Sequence, residues 1–268
     1  MDVLVVGAGA MGQWFARAVA DAIEEVAFAD VDPAAAERAA TEFEAADARV
    51  RTAAIDGDER FDVVCLAVPM PAVEEAVAAH ADRAKEALVD VTGAMAAPVA
   101  AMATHAPDRE RVSFHPLFAP ENEPGNVAVV ADEPGPVTDR LREALTARDN
   151  HLFETTSEEH DTAMETVQAS AHAAIIAYAL VSEGTDVREE FHTPVSAGLE
   201  ALVEQVTGNA PEVYAEIQAA FDGAEAVTAA AERIAAADPE TFAKLYERAS
   251  DSGERASDSG KRASDSGT

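Results

Sequence analysis

The chain has 268 residues, which is enough for one large domain or two ordinary ones with a sizeable core. Its formal net charge of −32 comes from 51 acidic and 19 basic residues, and such a field opposes binding to nucleic acids and anionic membranes. A hydrophobic content of 48% argues against an acidic disordered protein. The acid excess and the scarcity of lysine are similar to proteins of salt-loving microbes, in which molar salt screens the self-repulsion.

A single cysteine, Cys65, excludes an intrachain disulfide. It lies within the apolar run of residues 63–68, so we interpret it as a small core residue and not as a nucleophile. The amino terminus does not resemble a secretory signal, and no apolar run approaches the roughly 20 residues of a membrane span. The sequence therefore predicts a soluble, cytoplasmic protein.

The first 32 residues carry the pattern around which the rest of the chain is arranged. Residues 3–6 form an unbroken apolar run, which is typical of a strand buried on both faces of a parallel sheet. A helix is predicted over residues 13–23, and a second strand over 26–29 ends at Asp30. Between the first strand and the helix stands a G-x-G-x-x-G pattern, made of Gly7, Ala8, Gly9, Ala10, Met11 and Gly12.

Each part of this pattern suits a dinucleotide. Gly7 permits the tight turn, Gly9 lets the backbone approach a pyrophosphate, and Gly12 allows the helix to pack closely on the strand. The helix start offers free N–H groups and a positive dipole to the phosphates. Asp30 is placed to accept hydrogen bonds from the adenosine ribose, and its charge would repel a 2′-phosphate. The sequence thus predicts NAD, with NADP as the alternative; a glycine-rich turn in another α/β fold is the remaining interpretation.

Strands and helices alternate through the residues that follow, which is the doubly wound pattern. Ligands of such sheets bind at the carboxyl ends of the strands, so we expect Ala67, Val68 and Pro69 to line the cofactor. The further predicted strands cover residues 50–54, 61–68, 88–91, 112–114, 127–131 and 151–154. The further predicted helices cover residues 34–43, 72–81, 98–105 and 136–147.

The sequence changes character after Ser157, where strands end and long helical patterns begin. Residues 158–181 contain no glycine or proline, and residues 166–182 carry no formal charge apart from any on His172, which is typical of a core or interface helix. Further helices are predicted over residues 194–207, 210–221, 224–237 and 239–249.

These patterns predict an α/β N-terminal doubly wound Rossmann domain over residues 1–154, followed by an all-α C-terminal domain over residues 155–247. The last residues, 248–268, repeat the sequence Ala-Ser-Asp-Ser-Gly with a period of seven. They lack the apolar pairs of a coiled coil, so we expect a disordered acidic tail.

The candidate chemical groups are histidines. The sequence contains seven histidines, and none of them lies near cysteine or acidic residues at the spacing of metal ligands, so no metal site is predicted. His115 follows an apolar strand and precedes a proline-bounded loop. His160 and Asp161 are adjacent on a predicted helix, so we expect their side chains to point in different directions. His160 and His172 lie a little over three turns apart, so they share one broad face that could line a cleft.

Several segments together resemble the prephenate dehydrogenase family. Residues 115–120, His-Pro-Leu-Phe-Ala-Pro, resemble its H-P-M-F-G-P loop. Residues 159–178 are similar to the first long helix of its C-terminal domain, and Thr193-Pro194 and residues 209–214 match in order and spacing. The resemblance covers about residues 1–246.

The resemblance implies an oxidative decarboxylation of prephenate to 4-hydroxyphenylpyruvate, with hydride passing to NAD or NADP. His115 would hydrogen-bond the ring hydroxyl and, as neutral imidazole, would accept its proton as hydride leaves the same carbon. Family members are usually dimers through the helical domain, so a homodimer is expected. The resemblance also implies that the small-molecule substrate is lined by Thr92, Gly93, His160, Gln168 and His172.

Two positions depart from the family pattern. Gly93 stands where the family commonly places a serine beside the histidine, and Ala197 stands where an arginine binds a substrate carboxylate. Arg188 is a candidate replacement cation. Two alternatives therefore stay open: a related dehydrogenase of another small acid such as arogenate, and a regulatory protein that binds a dinucleotide without turnover. The presence of His115 argues against the regulatory protein, because a sensor has no use for a base there.

Overall fold

The computed structural model describes residues 1–43, 48–184, 188–208 and 210–251. Within these residues, eight strands form one sheet with the order β3-β2-β1-β4-β5-β6-β7-β8. The strands, in chain order, are β1 (Asp2–Val6), β2 (Glu25–Ala29), β3 (Arg49–Thr52), β4 (Phe61–Leu66), β5 (Ala84–Asp90), β6 (Glu110–Pro116), β7 (Asn126–Glu133) and β8 (His151–Glu154).

The first six strands are parallel, in the order typical of a dinucleotide-binding domain, which confirms the predicted doubly wound fold. Strand β7 instead runs antiparallel to β6. The reason lies in the connection between them, since a parallel return needs a crossover of a dozen or more residues, usually a helix. Residues 117–125 provide only a short loop with one turn of 3-10 helix.

Both faces of the sheet are covered by helices. Val3 and Val5 of β1 belong to the core on one face, whereas Leu4 and Val6 belong to the core on the other. This explains the unbroken apolar run, since alternate residues of a strand point to opposite faces. The helices between the strands are α1 (Ala10–Ala18), α2 (Pro33–Glu42), α3 (Val73–His80), α4 (Ala96–His105) and α5 (Pro136–Thr146).

The remaining described residues are helical, as predicted. The expected long helix over residues 158–181 is present, but a π-helical segment, Glu165–Ser170, interrupts its α-helical geometry. Such π segments recur at functional sites. The helices are α6 (Ser157–Met164), α7 (Ala171–Ser182), α8 (Pro194–Thr207), α9 (Pro211–Ala220), α10 (Gly223–Ala235) and a last helix over residues 239–251.

The chain divides into two compact units, but not at the predicted boundary after residue 154. The first unit contains residues 1–169 and 210–221, and the second contains residues 170–209 and those from 222 onward. Helices α6 and α9 therefore belong with the sheet.

Specific hydrogen bonds account for this difference. The Asp161 carboxylate of α6 accepts the N–H groups of Met95 and Ala96 at the start of α4, and Glu216 of α9 accepts the Met70 N–H at 3.0 Å. In the second unit, α7 packs against α8 and α10.

The predicted tail begins too early, because residues 248–251 still belong to the last helix. The rest of that prediction, residues 252–268, lies outside the described residues. Over the part of the chain that the structure describes, no helix combines the length and the apolar character needed to cross a bilayer.

Two glycines of the first turn are required by the fold itself. Gly7 has a φ of +98°, and a Cβ atom there would lie 2.2 Å from the carbonyl oxygen of Ala67. A Cβ atom on Gly12 would lie 2.0 Å from the carbonyl oxygen of Gly7. Gly9 differs, since no atom of the described chain outside its immediate neighbours comes within 4 Å of its Cβ position.

We therefore expect Gly12→Ala to lower the free energy of unfolding by about 1–3 kcal/mol, because the added methyl group forces backbone apart. The matched variant Gly9→Ala should cost less than about 1 kcal/mol, since its methyl group enters open space at the helix N-cap. Denaturant unfolding of both variants in the same molar salt measures the difference. Equal losses would contradict this reading of the turn.

Candidate active site

The predicted cofactor residues meet at one edge of the sheet, where β1 and β4 end. Gly7 donates its N–H to the carbonyl of Ala29, and Ala67 donates its N–H to the carbonyl of Val6, both at 2.8 Å. These bonds place the turn after β1 beside the residues that follow β4. The edge thus brings together Gly7, Ala8, Gly9, Ala10, Met11, Gly12, Asp30, Ala67, Val68 and Pro69.

The geometry of this edge fits a dinucleotide. One Asp30 carboxylate oxygen accepts the N–H of Ala8 at 2.8 Å, and the other accepts the N–H of Asp32 at 2.9 Å. These bonds hold the carboxylate beside the glycine turn and leave lone pairs for further donors. The open space at Gly9, next to the start of α1, provides room and N–H groups for a pyrophosphate.

His115 lies at the same edge of the sheet, near the end of β6. Asp90 of β5 and Ser113 of β6 are partners in the parallel ladder, so the residues that follow each of them emerge side by side. A Cβ atom on Gly93 would lie 3.8 Å from Nε2 of His115 and 3.2 Å from Sδ of Met70. Gly93, His115 and Met70 therefore border one space.

His115 is tied to helix α6 by a chain of hydrogen bonds. Its Nδ1 lies 2.8 Å from Nε2 of His160, and Nδ1 of His160 lies 2.8 Å from Oδ1 of Asp161. The two imidazole rings meet edge to face, with centroids 5.0 Å apart. Sequence reasoning expected the adjacent residues His160 and Asp161 to point apart. That expectation is wrong, because their side chains bend toward each other and bond.

The Asp161 carboxylate sits at the N-terminus of α4. Its two oxygens accept the N–H groups of Met95 at 2.9 Å and Ala96 at 3.0 Å. Burial alone would raise the pKa of this carboxyl, but the hydrogen bonds from His160 and from the two amides outweigh it and lower the pKa below its usual value. The carboxylate is therefore ionised at neutral pH.

His115 is itself neutral at physiological pH. Burial lowers its pKa to about 3, with a further contribution from His160, while the negative charge of Asp161 acts in the opposite direction. A buried neutral imidazole with one free nitrogen at the edge of a sheet can accept a proton from a bound ligand.

Comparison with known proteins identifies the family. Residues 15–131 match the family described as prephenate dehydrogenase, nucleotide-binding domain. The 4-amino-4-deoxyprephenate dehydrogenase of Streptomyces pristinaespiralis is 30% identical over an alignment of 262 residues, and the match covers 91% of this chain and 88% of that protein. The chain belongs to the prephenate dehydrogenase family. It is therefore a dehydrogenase with an amino-terminal nucleotide-binding domain, as predicted.

Solved structures share its fold. The prephenate dehydrogenase from A. aeolicus, in complex with hydroxyphenyl propionate and NAD+, matches with a TM-score of 0.68 and 16% identity, over 95% of this chain and 98% of that one. The arogenate dehydrogenase from Synechocystis matches with a TM-score of 0.58 and 13% identity, over 95% and 99% of the two chains.

Two residues predicted to contact the substrate of this family member are engaged elsewhere. The Thr92 hydroxyl lies 2.8 Å from Oδ1 of Asp90 and 3.0 Å from the carbonyl oxygen of Ala94, so it faces the protein interior. Both ring nitrogens of His160 have partners, so that ring has no nitrogen left for a substrate. The substrate contacts of Thr92 and His160 stay predictions.

The other predicted substrate residues are distributed over both units. Gly93 borders His115, as expected. Gln168 lies in the π-helical segment, and its buried Oε1 has no hydrogen-bond partner in the described part of the chain. His172 lies in α7 of the second unit. Arg188 also belongs to the second unit, in the segment after α7, and its guanidinium lies over the ring of Phe191 at 4.7 Å. Their contacts with a substrate stay predictions.

Sequence reasoning missed Asp90, which is fully buried beneath this site. Burial raises its pKa to about 7, although hydrogen bonds from the N–H and the hydroxyl of Thr92 lower it in part. Met70 was also missed. The signal for Met70 was its position directly after Pro69, whereas only burial reveals the unusual character of Asp90.

The raised pKa of Asp90 makes stability depend on pH. Between the ordinary aspartate pKa and about 7, the folded state holds a proton that the unfolded state has lost, so stability falls as pH rises through this window. The free energy of unfolding of the parent protein should therefore fall between pH 5 and pH 8, and that of Asp90→Asn should not. We expect the difference between the two proteins to shift in favour of Asp90→Asn by on the order of 2 kcal/mol over this range.

Denaturant unfolding at the two pH values measures this gain. Asp108→Asn, at an exposed turn, is the matched control and should follow the parent protein at both values. If Asp90→Asn also follows the parent, the carboxyl does not hold a proton in the folded state.

Proposed function

We propose that this dehydrogenase oxidises and decarboxylates prephenate to 4-hydroxyphenylpyruvate, with NAD as its cofactor. The observation that carries the proposal is the buried, neutral His115 at the edge of the sheet that also holds the dinucleotide turn. The solved A. aeolicus enzyme, whose complex contains NAD+ and hydroxyphenyl propionate, supports the same pairing of cofactor and aromatic acid.

Residues of the first unit would hold the cofactor. The N–H groups at the start of α1 and the open space at Gly9 suit the pyrophosphate, and Asp30 suits the ribose hydroxyls. Asp30 also favours NAD over NADP, and the nearby Arg38 already lies 3.4 Å from Asp32. When bound, the nicotinamide supplies the acceptor for the hydride.

His115 would move one proton. Its Nε2 accepts the proton of the ring hydroxyl while hydride leaves the same carbon, so that carbon becomes a carbonyl. The electron pair of the breaking C–CO2 bond then restores the aromatic ring, and the oxygen takes the proton back from His115. The steps balance without a net proton, and the loss of carbon dioxide makes the reaction irreversible.

A second candidate substrate is 4-amino-4-deoxyprephenate, which the Streptomyces relative is named for. Nε2 of His115 can accept a hydrogen bond from an N–H group as well as from an O–H group. Gly93 adds no side chain beside Nε2 that would distinguish the two, so the ring substituent meets a single acceptor.

We also propose that the enzyme is a cytoplasmic homodimer joined through its second unit. Helix α7 is almost wholly apolar, yet none of its residues is buried in the single chain. Leu180 is 63% exposed and Val181 84% exposed. Soluble proteins rarely leave such apolar surface in water, so we expect a second copy of this chain to cover the exposed apolar face of α7. The net charge of −32 favours molar salt as the working solvent.

The activity is tested by mixing the protein with NAD and prephenate in molar KCl and following the absorbance of NADH. We expect turnover of prephenate, and a fall in kcat of about 100-fold or more for His115→Gln, because the proton acceptor is lost. The control variant His105→Gln changes an exposed histidine at the end of α4 and should retain full activity.

The other outcomes are distinct. Turnover of arogenate or 4-amino-4-deoxyprephenate without turnover of prephenate would replace the proposed substrate. NAD binding without turnover of any of the three acids would replace the enzyme with a nucleotide-binding regulator. An unaltered kcat in His115→Gln would remove His115 from the mechanism.

The dimer is tested by sedimentation velocity in molar salt. We expect Val181→Asp to shift the parent dimer toward monomer, because it places a charge on the apolar surface of α7. Val31→Asp is a matched control, since Val31 is 88% exposed but lies in the first unit, after β2. A monomeric parent protein, or a dimer unchanged by Val181→Asp, would contradict the proposed interface.

A further inference from the structure

Three side chains link the start of α4 to the proposed base. Asp161, His160 and His115 form consecutive hydrogen bonds of 2.8 Å, and the Asp161 oxygens also accept the N–H groups of Met95 and Ala96. His160 is 3% exposed and His115 is 7% exposed, so water does not compete for the bond between their rings.

The direction of each proton follows from the backbone. Amide N–H groups can only donate, so Asp161 acts as an ionised acceptor and the Nδ1 of His160 carries the hydrogen that points to it. The short contact between the two rings holds one hydrogen, and with Nε2 of His160 as its acceptor that hydrogen is on Nδ1 of His115. The lone pair of His115 is left on Nε2, the nitrogen that faces Gly93.

We propose that His160 and Asp161 are positioning residues that hold His115 in the tautomer able to accept the substrate proton. The reverse arrangement would put hydrogen on Nε2 of His115, which could then only donate to the ring hydroxyl. The negative charge of the Asp161 carboxylate also attracts, and so stabilises, the imidazolium that forms when His115 takes the proton. This inference rests on the proposed function only in naming His115 as the base.

Nuclear magnetic resonance of the parent protein labelled with 15N-histidine tests the tautomer directly. We expect long-range 1H–15N spectra at pH 8 to show His115 with hydrogen on Nδ1, the tautomer that is less populated in free histidine. His115→Gln assigns its signals. A spectrum with hydrogen on Nε2 of His115 overturns the proposal, whatever the substrate of the enzyme proves to be.

Two variants of His160 test the consequence for catalysis. His160→Leu removes the acceptor, so we expect kcat to fall about 100-fold, with the KM for prephenate and the Kd for NAD changed less than about threefold. His160→Gln restores an acceptor oxygen for the Nδ1–H of His115, so we expect it to keep the tautomer and recover at least about tenfold of that loss.

The remaining results separate positioning from folding. Loss of activity in His160→Leu with the Nδ1–H tautomer retained would mean a structural role alone, and so would equal losses in the Leu and Gln variants. Should His160→Leu not fold, the parent spectrum and His160→Gln still decide. If the protein shows the expected tautomer but does not turn over prephenate, the proposed substrate is wrong and the positioning role of His160 and Asp161 is retained.

Discussion

The hydrogen bond between His115 and His160 is the interaction on which the site depends. It joins the last parallel strand of the sheet to a helix that lies far along the sequence, and it lets two imidazoles be buried together. Because Asp161 caps the start of α4 at the same time, one short segment of α6 fixes a strand, a second helix and a histidine tautomer. A helix held this firmly belongs to the unit of the sheet.

The buried groups of the site are held uncharged, although the protein as a whole is strongly acidic. The chain has a formal net charge of −32, whereas the site contains a neutral imidazole and a carboxyl whose pKa is raised to about 7. Desolvation favours the uncharged form of both His115 and Asp90, so the interior suppresses charge that water would permit. Asp161 stays ionised in this setting only because three donors converge on it.

The glycine turn shows how much local sequence can reveal. The Cβ positions of Gly7 and Gly12 collide with backbone oxygens, and that of Gly9 opens onto free space, which are the roles that the G-x-G-x-x-G spacing predicts. The strands and helices of the first unit were predictable for the same reason, because apolar runs and turn residues act over a few neighbours. The antiparallel β7 was not foreseen, although the short loop before it was visible in the sequence.

Local sequence patterns were enough to predict the alternation of strands and helices, the dinucleotide turn with Asp30, and His115 as the candidate base. Three features are visible only in the folded chain: His160 hydrogen-bonds His115, the Thr92 hydroxyl faces inward, and α6 and α9 join the unit of the sheet. These outcomes depend on groups that are remote in sequence and meet through burial and hydrogen bonding. The periodicity of apolar residues along the chain does not predict contacts between residues that are distant in sequence.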